Sequence, residues 1–430
     1  MHGVKRAPKS AATAEARAAR KAKEAAKLAS YLDIERTFFD YKRQARKDSK
    51  ALHHTTKLLT LNPELYTVWN YRREVLLHMF AGAVTEEAEK EKKPDVFASL
   101  REDAGPTTQD GQEKEYEEKQ ERIARNQQLL EDDLMLTEHA LRAHPKVYWI
   151  WNHRMWCLTQ YSTQSAANTT SSTADATWVW ERELKLVEKM LELDPRNFHG
   201  WNCRRAILQH LSLSLLSSDP STATFAAEQP SFPTLLSHPL IVSSGTVKPA
   251  LLSLAERELS FTVKKIESNF SNFSAWHQRT KLLPHVWAAK QLSTAQIDAQ
   301  VDAELELVKQ AMYTDPADQS VWFYHRWLVE LLIQAQAGKE EGTRRRRQWT
   351  VLNEEIGVIE ELFELEPESK WCASSLAHYY TVLAGLCGAE DAAVKDEARE
   401  KAKRLLLQLI ELDPDREQRY RDLLEGKAQF

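Results

Sequence analysis

Two residues in the sequence stand where an anion could bind. Lys146 and His199 each follow a proline closely, in the segments H-P-K-V-Y and D-P-R-N-F-H, at the mouth of a predicted helix. The unpaired backbone N–H groups at a helix N-terminus favour a negatively charged ligand. An ordinary surface lysine is the alternative for Lys146. The two turns therefore indicate anion binding but do not by themselves identify the anion.

The sequence contains none of the common motifs of a self-sufficient active site. It has no P-loop, no G-x-G-x-x-G dinucleotide motif, no H-E-x-x-H zinc motif and no G-x-S-x-G nucleophile motif. The adjacent His53 and His54 would point about 100° apart on a helix, so they do not make a metal pair. The four cysteines have no C-x-x-C spacing, which predicts structural thiols in a reducing compartment. These features favour a partner-binding protein.

The helices around these residues belong to a repeat that is marked by tryptophan. Five tryptophans share a leucine 17 positions earlier and an apolar residue 10 positions earlier: Trp69, Trp151, Trp201, Trp276 and Trp322. The two apolar positions are two helical turns apart, so they predict one buried stripe on a helix. In four copies a proline six positions before the tryptophan ends that helix. Each copy is therefore predicted to be a helix, a short turn and a second helix.

The second helix of four copies carries an arginine three positions after the tryptophan: Arg72, Arg154, Arg204 and Arg279. A basic aromatic groove for nucleic acid is one interpretation of this pattern. The fixed register favours the other, in which the tryptophans are buried and the arginines bridge adjacent repeats. The sequence thus predicts an all-α fold, an α-solenoid crescent of stacked helical hairpins, with a degenerate sixth copy around Trp371.

Composition predicts how the chain is organised. Residues 1–30 form a basic N-terminal extension, and residues 31–430 form the helical-hairpin repeat domain. Three inserts, at about 82–120, 162–177 and 211–250, have the composition of mobile loops. The net charge of −5 argues against nucleic acid as a partner. No apolar run is long enough for a transmembrane segment, and we expect a cytoplasmic protein.

The repeated segments resemble those of a known family. N-P-E-L-Y-T-V-W-N-Y-R-R, H-P-K-V-Y-W-I-W-N-H-R and D-P-R-N-F-H-G-W-N-C-R-R are similar to the repeats of protein prenyltransferase α subunits, over about residues 31 to 420. The later segments S-N-F-S-A-W-H-Q-R and D-P-A-D-Q-S-V-W-F-Y-H-R-W resemble the Rab geranylgeranyltransferase (type II) form, as does the opening M-H-G. The length of the chain resembles the compact, fungal-like form.

The resemblance implies a heterodimeric transferase. A β subunit, rather than this chain, would hold the catalytic zinc. The enzyme would transfer a geranylgeranyl group from geranylgeranyl diphosphate to C-terminal cysteines of Rab GTPases that a Rab escort protein presents. One alternative is the α subunit shared by protein farnesyltransferase and geranylgeranyltransferase type I. A non-catalytic tetratricopeptide-like scaffold is the second.

The resemblance also implies roles for individual residues. Lys146 matches the family's lysine near the diphosphate, and we expect it to act in catalysis. Tyr148 and His199 are expected to bind the diphosphate or the isoprenoid, whereas Phe198 replaces a tyrosine of the farnesyl type. We further expect His2 to reach the β-subunit zinc and inhibit the resting enzyme, with a terminal histidine of no function as the alternative.

Overall fold

The structure, a computed structural model, describes residues 14–82, 109–166, 174–217, 222–334, 341–388 and 391–430, and these ranges contain no strand. The α-helices are α1 (Ala14–Arg43), α2 (Ser49–Leu61), α3 (Tyr66–Phe80), α4 (Gln109–Ala143), α5 (Tyr148–Ala166), α6 (Ala174–Leu193), α7 (Phe198–Ser217), α8 (Ala223–Ala227), α9 (Pro239–Val242), α10 (Val247–Ser268), α11 (Phe273–Lys290), α12 (Thr294–Thr314), α13 (Gln319–Gln334), α14 (Glu341–Leu365), α15 (Lys370–Leu386), α16 (Ala392–Leu412) and α17 (Glu417–Leu424). Short 3-10 helices span Thr234–Ser237 and Pro414–Arg416. The predicted all-α class is confirmed for the described residues.

The predicted helical hairpins form where the sequence places their turns. The Asp48 carboxylate caps α2 by accepting a hydrogen bond from the Ala51 amide at 2.8 Å. The turn to α3 contains Pro63, and the Trp69 indole donates a hydrogen bond to the Pro63 carbonyl at 2.8 Å. The same bond to the carbonyl six positions back recurs at Trp151, Trp276 and Trp322, at 2.8 to 2.9 Å. These four tryptophans therefore fix their turns as well as filling the core.

The chain divides into two compact units, of which the first comprises Met1–Met190 and His199–Ile207. Its core contains the buried repeat tryptophans Trp69, Trp151 and Trp201. In α1 the residues from 15 to 30 are exposed. The predicted boundary at residue 30 lies inside this helix, so the described part of the basic extension continues without a break into the repeat domain.

The second unit comprises Leu191–Phe198 and Leu208–Phe430. Residues of the third predicted insert form a buried cluster in this unit, with Leu216, Leu236 and Ile241 fully buried. Short helices and the 3-10 turn replace the mobile loop that the composition of 211–250 predicts. The physical reason is that several leucines and one isoleucine among the Ser and Pro residues pack against α11.

The other two inserts are described only in part. Residues 109–120 of the first insert begin α4, and residues 162–166 and 174–177 of the second belong to α5 and α6. Apart from Gly82, the remaining residues of both lie outside the described ranges. In the sixth copy α14 and α15 form a hairpin, but Trp371 is only half-buried. Among the described helices, none has both the length and the apolar character needed to cross a lipid bilayer.

Candidate functional site

The three residues expected to bind the diphosphate lie at two helix N-termini of the first unit. Lys146 is exposed in the turn between α4 and α5, and Tyr148 is the first residue of α5 with 51% of its surface exposed. His199 is the second residue of α7 and is partly buried. The turn before α5 is closed by a hydrogen bond from the Val147 amide to the His144 carbonyl at 3.2 Å. Two helix N-termini thus present these side chains.

The structure brings His199 against the turn that carries Lys146. The rings of Tyr148 and His199 have centroids 5.9 Å apart, and the His199 side chain forms a hydrogen bond with the Lys146 backbone. Burial lowers the pKa of His199, and the bond to the Lys146 backbone only partly opposes that shift. His199 is therefore neutral at pH 7, with an imidazole that donates through one nitrogen and accepts through the other.

A second cation, Arg73, is linked to Tyr148 through Asn152, and the sequence pattern did not predict it. Arg73 donates a hydrogen bond to the Asn152 side-chain oxygen at 2.6 Å, and the Asn152 amide donates to the Tyr148 hydroxyl at 3.3 Å. The Arg73 guanidinium also lies 5.5 Å from the centre of the Trp156 ring. Its signal in the sequence is the second arginine of the R-R doublet, four positions after the repeat tryptophan.

The first arginine of the doublet is structural. Arg72 bonds to Asp133 and Arg154 bonds to Glu183, and all four side chains are almost fully buried. In the second unit Arg279 pairs with Glu304 in the same way. Each acid comes from the first helix of the next repeat, 18 positions before its tryptophan. The interpretation of these arginines as bridges between repeats is confirmed, and a basic aromatic groove is excluded at these positions.

The aromatic residues that begin the second helices do not join this core. Those three positions before the repeat tryptophan are half or more exposed: Tyr66 (53%), Tyr148 (51%), Phe198 (62%) and Phe273 (50%). They lie in the first turn, where the helix has only just begun and neighbouring helices do not cover it.

One cluster of potential metal ligands occurs among the described residues, formed by the buried Asp133, His153 and Cys157. Both Asp133 oxygens already accept hydrogen bonds from Arg72, and one also bonds to the His153 ring at 2.8 Å. Burial and the Asp133 charge raise the pKa of the Cys157 thiol. A guanidinium on the carboxylate and a protonated thiol do not suit zinc. His2 lies outside the described residues.

The sequence matches known proteins throughout its length. The protein prenyltransferase alpha subunit repeat matches residues 48–79, 130–161, 180–211, 255–286 and 301–332. The geranylgeranyl transferase type-2 subunit alpha of Schizosaccharomyces pombe is 31% identical over 99% of this chain and 98% of its own length. The protein of the same name from Candida albicans is 28% identical over 100% of this chain and 98% of its own length. The matched repeats confirm the register set by the five tryptophans, since each occupies position 22 of its range.

The fold also has a counterpart among solved structures. A chain of Candida albicans protein geranylgeranyltransferase-I complexed with GGPP aligns over 93% of this chain and 91% of its own length, with a TM-score of 0.51 and 19% identity. This likeness supports the helical-repeat fold, and the curated relatives carry the type-2 name. The chain therefore belongs to the protein prenyltransferase alpha-subunit family, among the geranylgeranyl transferase type-2 alpha subunits.

Proposed function

We propose that this chain assembles with a zinc-bearing β subunit to transfer geranylgeranyl from its diphosphate to C-terminal cysteines of Rab GTPases presented by a Rab escort protein. The proposal extends to a cytoplasmic location. In it the chain contributes part of the diphosphate site rather than the whole active site. The observation that carries this role is the contact of His199 with the turn of Lys146, at two helix N-termini.

The chemistry of these residues suits a diphosphate leaving group. Negative charge grows on the diphosphate as its bond to the prenyl carbon breaks, so fixed donors and positive charge nearby lower the barrier. Lys146 supplies a flexible ammonium beside a helix N-terminus. The one N–H of neutral His199 bonds to the Lys146 backbone and holds this turn, so the ring donates to the diphosphate through its second nitrogen, which gains a proton when the anion is bound. The Tyr148 hydroxyl supplies a further donor, and its oxygen accepts a hydrogen bond from Asn152. Arg73, which holds Asn152, is a positioning residue in this scheme.

The remaining parts of the reaction belong to the partner. Zinc on the β subunit would supply a thiolate from the substrate cysteine. The described residues of this chain supply no competing zinc site, because Asp133 is already committed to Arg72 and His153. The role of this chain is therefore to hold the diphosphate while the partner activates the nucleophile.

The direct test is reconstitution of the chain with candidate β subunits. We expect stable assembly with a type-2 β subunit, and transfer of labelled geranylgeranyl to a Rab protein only when the escort protein is present. A short peptide ending in a CaaX motif should not be modified. Activity toward that peptide would show instead the subunit shared with farnesyltransferase. Failure to assemble with any β subunit would favour a scaffold.

A further inference from the structure

A groove with a basic wall lies in the second unit, far along the chain from the site at Lys146. It has a volume of about 360 Å³ and lies between α15, α16 and α17. Its wall carries Lys395, Arg399 and Lys403, and none of its ten lining residues is acidic. We call it the basic groove and define it by its full lining: Thr381, Ala384, Gly385, Lys395, Arg399, Ala402, Lys403, Leu406, Leu423 and Leu424.

The three cations stand in a row on α16 at intervals of four residues. This spacing puts them on one face of the helix over a length of about 12 Å. Like charges at such spacing repel one another and destabilise a helix. Asp396 and Glu400 stand three residues before Arg399 and Lys403, but no ion pair joins them within the described residues. The row therefore keeps its positive charge.

The neighbouring groove, on the other side of α16, differs from the basic groove because acidic residues also line it. It is lined by Glu360 and Glu364 as well as by Lys401 and Arg404. Lys401 lies 3.5 Å from the Glu360 carboxylate and donates a hydrogen bond to the Tyr380 hydroxyl at 3.1 Å. The charges of that groove are compensated within the fold, whereas those of the basic groove are not.

The floor of the basic groove is apolar and recessed. Leu406 is buried in the cluster that also includes Leu423 and Leu424, so the floor is continuous with the packed core of the last helices. Ala384 and Gly385 on α15 are small residues that leave one side of the groove open, and a Cβ added at Gly385 would meet nothing within 4 Å. Small residues opposite a row of cations thus leave open space of a size typical of small-molecule sites, which span roughly 300 to 1,000 Å³.

We propose that the basic groove binds a free, single-chain amphiphile with a phosphate or diphosphate headgroup. The headgroup is held by Lys395, Arg399 and Lys403 through charge-assisted hydrogen bonds. The apolar chain lies over Leu406 and Leu424. A membrane surface is a poorer fit, since the apolar floor is recessed between helices. The proposal does not rest on the diphosphate site at Lys146.

The test uses the full chain assembled with its β subunit and oleoyl lysophosphatidate below its micelle concentration as the probe. This probe has the proposed chemistry but is not a prenyl donor. We expect saturable binding by calorimetry, and slower amide exchange in residues 381–386 and 395–406. Neutral monoolein should bind at least about tenfold more weakly, because it lacks the charge that the three cations recognise.

Two independent variants locate the binding. Replacing the row by glutamine (Lys395→Gln, Arg399→Gln and Lys403→Gln together) should weaken lysophosphatidate binding by at least about tenfold. Gly385→Leu should weaken it similarly by filling the groove, without loss of Tm, because leucine favours a helix more than glycine does. The matched control Arg404→Gln removes the same charge from α16 on the neighbouring groove and should change the affinity less than twofold.

Three results would overturn the proposal. The first is unchanged affinity in both the glutamine and Gly385→Leu variants. The second is equal binding of monoolein, which would show a hydrophobic site without headgroup recognition. The third is binding only to phosphatidylserine vesicles, with none to free lysophosphatidate, which would make this face a membrane contact instead.

Discussion

The buried ion pair between Arg154 and Glu183 gives the sharpest test of how the repeats hold together. Each side chain is 2% exposed, and the guanidinium donates to the two Glu183 oxygens at 2.7 and 2.6 Å. The same guanidinium donates to the Leu134 carbonyl and to the Thr137 hydroxyl. Burial would lower the pKa of Arg154, but the Glu183 carboxylate more than offsets this, so the pKa is raised.

Glu183→Gln keeps the shape of the side chain but removes its charge. In this variant the buried Arg154 charge has no opposite charge beside it. The new amide oxygen accepts one of the two guanidinium hydrogen bonds, but the amide NH₂ group is a donor that faces the other guanidinium donor. Removing one partner of a buried pair costs about 3 to 5 kcal/mol, so we expect a loss of about 3 kcal/mol because the amide oxygen retains one hydrogen bond. Replacing both residues, as Arg154→Met with Glu183→Met, should recover much of the loss.

The free energy of opening of α5 and α6 should be measured by native-state hydrogen exchange, because a chain of 430 residues need not unfold in one step. The matched control is Glu417→Gln, which breaks the exposed pair with Arg421 and should lower the free energy of opening of its own helix, α17, by less than about 1 kcal/mol. The reasoning is refuted if Glu183→Gln costs no more than Glu417→Gln. It is also refuted if the double variant is less stable than the single one.

Three further predictions concern other buried groups. Burial and the Arg326 charge lower the pKa of His378 to about 4 from 6.5, so its unfolded form binds more protons below pH 6.5. His378 should then lower the free energy of unfolding by up to about 3 kcal/mol as the pH falls from 6.5 to 4. The urea midpoints of wild type and His378→Asn should be compared over this pH range. A wild-type midpoint that does not change with pH, and that matches the midpoint of the variant, would contradict this. Trp276→Phe removes the donor to the Phe270 carbonyl at 2.8 Å and should cost about 2 kcal/mol in denaturant unfolding, whereas no measurable loss would show that the indole only fills space. Cys157 is fully buried with a raised pKa, so a thiol reagent at pH 8 should modify it only after unfolding, and rapid modification of the native protein would show an open core.

Much of the repeat could be predicted from sequence because its signals are local. Trp276 and the apolar positions before it set the period, and prolines such as Pro63 mark the turns. The bridging role of Arg154 also followed from its fixed register. Its donation to Thr137 was not predicted, although a threonine 14 positions before the tryptophan recurs as Thr55 and Thr262. This threonine occurs in only three of the five copies, so its pattern in the sequence is weak.

The candidate site and the third insert depended on packing that one sequence does not encode locally. His199 and Lys146 are 53 positions apart, and only the folded repeats bring the imidazole to the Lys146 backbone. Arg73 reaches Tyr148 through Asn152, a chain of contacts across two repeats. The insert at 211–250 mixes Ser and Pro with apolar residues, a composition that predicts a mobile loop, yet its apolar side chains converge into one cluster. Average composition hides such convergence.

The central claim, that this chain helps to hold the diphosphate, is tested most directly by the single-turnover rate of prenyl transfer in the Lys146→Ala heterodimer. We expect transfer to slow by about tenfold or more with assembly intact, because a charge that stabilises the leaving group is lost. Lys185→Ala, which removes an exposed lysine on α6, should leave the rate unchanged. An unchanged rate in Lys146→Ala, or loss of assembly with the β subunit, would contradict the account.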